Sequence, residues 1–212
     1  MGTTERRERD KQRRREDILN TARTLFFEKG FRDTTIDDIA RSAELARGTI
    51  YLYFENKEEI YATVLEEGLD TLNRLVLESY SEDADPLTNI LAGHDAFMNF
   101  HDNYAQYYNV LMLDKLQIAD ALPPELKSRL DLKTERMAGF IENILDKGVR
   151  QGMFRPMQVR EVAFLQMGMA MGFAQMLDKC CASSDVFNDR EQSRQAMHAL
   201  IANSLLDRRE RD

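Results

Sequence analysis

Arg47, Gly48, Thr49, Tyr51 and Tyr53 follow one another along TIDDIARSAELARGTIYLYFENK, residues 35–57. A guanidinium matches the paired acceptors on the major-groove edge of guanine, or a phosphate. A threonine offers its methyl to thymine or its hydroxyl to a base edge, and tyrosine hydroxyls donate to phosphate oxygens. Gly48 gives up about 1 kcal/mol of helix propensity against alanine, and its missing side chain lets the backbone approach another surface closely. Thr35 stands at a helix cap and Lys57 in the first turn of a later helix. A cation in a first turn opposes the helix dipole unless an anion lies beside it. The chemistry of this set is hydrogen bonding to a nucleic acid rather than bond making.

The other reactive residue types are sparse. His94 and His101 lie seven apart on one helix face, with Asp95 and Asp102 repeating beside them. A metal set is one reading of that repeat; a polar helix face is the plainer one. Cys180 and Cys181 are adjacent, so they cannot staple distant segments and read as packing residues. Three histidines, no nucleophile elbow, no glycine-rich phosphate loop and no metal-ligand cluster give an enzyme little to work with. The expectation is a non-enzyme with no cofactor and no bound metal.

The elements that must position residues 35–57 read as helices throughout, because no long run alternates apolar with polar residues. A helix begins at Asp10 after a loose basic arm over about residues 1–9, either a solvated tail or a phosphate-contacting arm; it buries Ile18, Ala22, Leu25 and Phe26 and ends at Gly30. Thr35 and Asp38 form a capping pair for the next short helix, residues 44–46 turn, and 47–53 make the second short helix with Ile50 and Phe54 inward. Asn56 caps a helix that runs to Tyr80, with Gly68 unexplained inside it. Further helices are expected over 86–103, 105–120, 124–150, 158–181 and 188–208. The fold class is all-α with about nine helices, an N-terminal three-helix domain over 1–57 and a larger helical domain over 58–212. Net charge divides the same way, +2 over the first segment and −10 over the second. An acidic body of this kind would repel phosphate and direct it to the basic end. No apolar run reaches the roughly 18 residues of a membrane span, and no signal-type apolar core follows the basic start, so a cytoplasmic protein is expected.

TTIDDIA at 34–40, RGTIYLYF at 47–54 and Asn56-Lys57-Glu58 together resemble the DNA-binding domain of the TetR family of transcriptional regulators. A fainter likeness, GVRQGMFRPM at 148–157, sits before the last two helices. The resemblance implies contacts to an operator duplex at Thr35, Arg47, Gly48, Thr49, Tyr51, Tyr53 and Lys57. Two positions depart from the family pattern. Glu44 stands where glycine is frequent, which disfavours a left-handed turn residue. Ala46 replaces a frequent serine cap, a loss of about 1 kcal/mol.

The resemblance also implies a homodimer built on the last two helices, and a small-molecule effector. FLQMGMAMGFAQM at 164–176 is too apolar for the surface of a monomer. Gly168 and Gly172 would allow close helix approach, with Ala196, Ala199, Leu200 and Asn203 supplied by the final helix. For the effector, Phe97, Phe100, Tyr104, Tyr108 and Met112 come from the middle helices. Met137, Phe140, Phe164, Met167 and Met171 complete a set suited to an apolar or amphipathic molecule. The expected function is a ligand-released repressor. An activator, a chromosome-organising protein or a helical interaction module without a DNA role are the alternatives.

Overall fold

A computed structural model describes residues 3–114, 122–180 and 189–207. The described residues are helical: α1 Thr3–Asp33, α2 Ile36–Ser42, α3 Arg47–Ile50, α4 Lys57–Glu78, α5 Pro86–Asn103, α6 Ala105–Asn109, α7 Pro124–Arg150, α8 Val159–Cys180 and α9 Arg190–Leu205. A π-helical turn, Val110–Asp114, continues α6. The all-α class stands as read. One start and one end differ from the sequence reading. α1 is already helical at Thr3, since the Glu and Arg of residues 5–9 are good helix formers and solvated charge does not stop a helix. α3 closes after one turn, and 51–53 continue as tight turns (Leu52 N–H to Thr49 O, 3.2 Å; Tyr53 N–H to Ile50 O, 3.0 Å). The expected helix ends at 115–120, 181, 188 and 208, and Cys181, lie outside the described residues.

Contacts gather into two compact units, one of Met1–Asp70 with Ala105–Asp131, the other of Thr71–Tyr104 with Leu132–Asp212. In the first, Ile18, Ala22, Phe26, Ile39, Ile50, Ile60, Val64 and Leu65 are almost wholly buried. Phe26, Phe31 and Tyr61 form an aromatic cluster with ring centroids 4.8–6.2 Å apart. Gly68 acquires a reason here. A Cβ on it would come to 3.0 Å from both Leu111 Cδ1 and Tyr107 Cδ1, so the bare backbone lets α6 and the π turn lie against α4. The Tyr107 hydroxyl donates to Glu67 (3.0 Å), which also accepts from Arg23 of α1 (2.9 Å). Burial first, then the Glu67 carboxylate, pushes the Tyr107 phenol up to about 12.

In the second unit, Ile90, Ile144, Leu145, Phe154, Ala163, Ile201 and Leu205 form the core. Pro86 opens α5 behind an Asp85 cap, and Gly152 leaves α7 at φ 72. The chain then folds back so that Phe154 lies on Gly148, where any side chain would overlap its ring. Arg155 N–H donates to Leu205 O (2.9 Å) and Asp207 N–H to Met153 O (3.1 Å), fastening the end of α9 to this turn. The His–Asp repeat of α5 is a clasp. His94 hydrogen-bonds Gln166 (2.8 Å) and His101 faces Asp178 (2.9 Å), both on α8. Asp95 pairs with Arg194 and His198, and Asp102 with Arg190, all on α9. No group of three potential metal ligands occurs among the described residues.

Gly148→Ala is expected to cost about 2 kcal/mol through overpacking against Phe154, measured by urea unfolding. Burial holds the His94 imidazole below its ordinary 6.5, with His198 adding to the shift and Gln166 and Asp95 opposing it. The folded state therefore refuses a proton that the unfolded chain accepts, and stability falls as pH drops below about 6.5. His94→Gln, which cannot titrate, should show a shallower loss than the parent between neutral and mildly acid pH.

Candidate nucleic-acid interface

α2 and α3 are each too short to be stable alone, so their geometry comes from caps and packing. Thr35 caps α2. Its hydroxyl donates to Asp38 Oδ2 (2.8 Å) and accepts from Asp38 N–H (3.1 Å), while its own N–H donates to the same carboxylate (3.1 Å). Lys29 of α1 adds a bond at 2.8 Å. The hydrogen bonds from Lys29 and then Thr35 hold the Asp38 carboxyl down to about 2. Leu45 N–H reaches Ala40 O (2.9 Å) across the turn, and Glu44 takes φ 55 despite its Cβ. That left-handed residue costs about 1 kcal/mol. Ala46 caps α3 with no side-chain hydrogen bond.

Ile50 and Phe54 are buried (0% and 2% exposed), which turns the opposite side of the segment outward. There Arg47 and Gly48 are exposed, Thr49 and Tyr53 half-buried, and Tyr51 is 45% exposed. Leu52, at 75%, is the most prominent apolar residue of the segment. The sequence reading passed over Leu52, although Ile50 and Phe54, spaced four apart and inward, force the residue between them outward. The Arg47 guanidinium is preset. It donates to Asp37 Oδ2 (3.1 Å) and to the Tyr51 hydroxyl (3.3 Å) and lies 5.8 Å from the Tyr51 ring centre.

Thr35 is exposed at the start of α2, its hydroxyl engaged with Asp38. Lys57 turns inward. Its ammonium donates to the carbonyls of Phe31 and Thr34 at 2.8 Å each and sits 4.1 Å from the centre of the Phe31 ring. Burial pushes its pKa below the ordinary lysine range. An ammonium has three donors, so one remains beyond these two bonds.

The model of bacterial regulatory proteins of the tetR family matches residues 18–64. Over 151 residues the chain is 31% identical to the HTH-type transcriptional regulator YfiR of Bacillus subtilis, an alignment spanning 70% of this chain and 71% of that protein. The chain belongs to the TetR family. Another relative within it is the HTH-type transcriptional repressor KstR2 of Mycolicibacterium smegmatis, 29% identical over 146 residues and 68% of each chain. The crystal structure of AibR in complex with isovaleryl coenzyme A and operator DNA shares the fold, with a TM-score of 0.68, 20% identity, and coverage of 88% of this chain and 97% of that one.

In this TetR-family chain the residues of the second segment distribute as follows. Phe97, Phe100 and Met137 are buried in the second unit, where Phe100 stacks on Tyr104 (5.8 Å) and Phe140 meets Tyr80 edge-on (5.4 Å). Met167 and Met171 are half-buried on α8. Tyr108 and Met112 are buried in the first unit. Phe164 is 40% exposed with Arg160 over its ring at 5.5 Å, facing out beside Leu165 at 64%. Gly168, Gly172, Ala196, Ala199, Leu200 and Asn203 are all exposed. α8 thus has two apolar sides, one buried through Ala163, Ala170, Ala174 and Leu177, the other open.

Lys57→Met keeps an apolar stem beside Phe31 and removes the donors. It is expected to lower stability by about 2 kcal/mol, the scale of a charged hydrogen bond and its orphaned acceptors, read as a shifted urea midpoint.

Proposed function

We propose that this TetR-family regulator is a homodimeric repressor that grips two operator half-sites and is released by a small apolar or amphipathic effector. The observation that carries the DNA reading is the outward row of Arg47, Gly48, Thr49, Tyr51 and Leu52 over a buried Ile50 and Phe54. Arg47 reads a base edge or phosphate once it exchanges Asp37 for the duplex. Thr49 and Leu52 offer apolar contact to thymine methyls. Tyr51, Tyr53, Thr35 and the remaining donor of Lys57 serve phosphates. Residues 1–57 carry this surface, and 58–212 carry effector binding and pairing.

The dimer reading rests on the open side of α8 and α9. Leu165, Met176 and Leu200 are 48–64% exposed there, around Gly168 and Gly172. A second copy of the chain is the occupant that removes such a face from water. Two copies would place their recognition helices about 34–36 Å apart or at a multiple of that spacing. The aromatic and methionine residues of the second segment suit an apolar effector. KstR2 is named as a repressor and AibR was solved with an acyl coenzyme A and its operator, both in keeping with effector release. An effector acts by binding one dimer state better than the other.

The test is selection of duplexes from a randomised pool by the whole protein. Palindromic half-sites are expected. Arg47→Ala should lose about 1–3 kcal/mol of discrimination at one base pair per half-site. Selected sequences without dyad symmetry, or an unchanged preference in Arg47→Ala, would overturn the corresponding part.

A further inference from the structure

Upstream of the core, α1 keeps its inward face but changes its chemistry. At 100° per residue, Arg7, Lys11, Arg14 and Arg15 fall on the same face as the buried Ile18, Ala22 and Phe26. Glu8 falls on that face too, at the angle of Phe26, one acid against four cations. The opposite face mixes Arg6, Arg9 and Arg13 with Glu5, Asp10, Glu16 and Asp17, and so balances itself locally. The inward face is therefore the one with uncompensated positive charge.

The structure also says where that face points. The Arg15 guanidinium lies 4.5 Å from the centre of the Phe54 ring, in the segment that ends the recognition turn. Beyond it Arg7, Lys11 and Arg14 are exposed. The helix from Thr3 to Arg14 extends about 18 Å past this point at 1.5 Å per residue. We propose that Arg7, Lys11 and Arg14 form a basic rail that contacts duplex phosphates beside the groove entered by α3. The partner is the sugar–phosphate backbone of double-stranded DNA, matched by charge, because long cations spaced along a rigid helix track a regular row of phosphates but read no bases. The rail gives the chain a second DNA surface, independent of sequence. It rests on duplex binding through α2 and α3, and extends it to a segment outside the helix-turn-helix.

The experiment measures binding of the whole protein to a mixed-sequence B-form duplex over a salt series. It compares the parent with R7Q/K11Q/R14Q and with R6Q/R9Q/R13Q, which removes the same charge from the opposite face. Glutamine preserves helix propensity, and the buried residues are untouched. Each lost phosphate contact lowers the slope of log affinity against log salt by about 0.9. The inward variant should therefore lose about 2.7 per protomer, with its preference among selected duplexes unchanged, and the outward variant less than half of that. A parent that binds duplex, with an unchanged slope in the inward variant, overturns the rail and leaves the recognition-helix reading standing. Equal losses in both variants overturn the face assignment in favour of bulk charge. A parent that binds no duplex at low salt overturns both.

Discussion

α3 has four residues, and a helix of one turn has almost no stability of its own in water. Everything on its outer side depends on how firmly its inner side is held. Ile50 and Phe54 supply that hold, as fully buried as Ile18, Ala22, Phe26, Ile60 and Leu65 of the same unit. The core needs α1 and α4 at fixed positions, and Lys57 ties them together, bonding the carbonyls of Phe31 and Thr34 from the first turn of α4. The aromatic cluster of Phe26, Phe31 and Tyr61 packs beside that ammonium. An outward Arg47 is thus the surface consequence of an inward Lys57.

Charge in this protein is arranged at short range. Asp38 closes the cap of α2 and holds Lys29; Asp37, one residue earlier, aligns Arg47. Both carboxylates stand beside a surface suited to an anion, and each is matched by a cation within 3.1 Å. The same economy appears in the second unit. There the histidines and aspartates of α5 join α8 and α9 through paired contacts of 2.6–3.2 Å. Charged groups taken partly out of water need such partners, and the pairing fixes which helix faces meet. The outer side of α8 is instead apolar and exposed at Phe164, Leu165 and Met176.

Much of the fold was legible because its signals are local. Pro86 behind Asp85 and the Leu-Pro-Pro break before Glu125 mark helix starts that the structure reproduces at Pro86 and Pro124. Thr35 with Asp38, and Asn56 with Glu59, are caps by residue type and are caps in space. The start of α1 was not legible, since Arg and Glu suit a solvated arm and an exposed helix equally well. Gly68 carried no visible purpose and Gly148 read as a helix end, because each is explained by side chains tens of residues or one turn away: Leu111 and Tyr107 in one case, Phe154 in the other, with Gly148 inside α7. The outward row on α3 was partly legible. Arg47 and Tyr51 were found by chemical type, and Leu52 was missed because an apolar residue in a helix is first read as core.

The sequence by itself determined the class of fold, the capped short helices of 35–57, the unequal division of charge and the family to which the chain belongs. These follow from periodicity, capping chemistry and composition, which act between near neighbours. Tertiary structure alone decided which way the long polar side chains go. Lys57 has the residue type of a phosphate contact, and two carbonyls at the end of α1 take two of its three donors. His94 and His101 have the spacing of a ligand pair, yet Gln166 and Asp178 on α8 receive them. A flexible side chain with several equivalent donors takes the partner that folding brings within about 3 Å, and that partner is set by contacts distant in sequence.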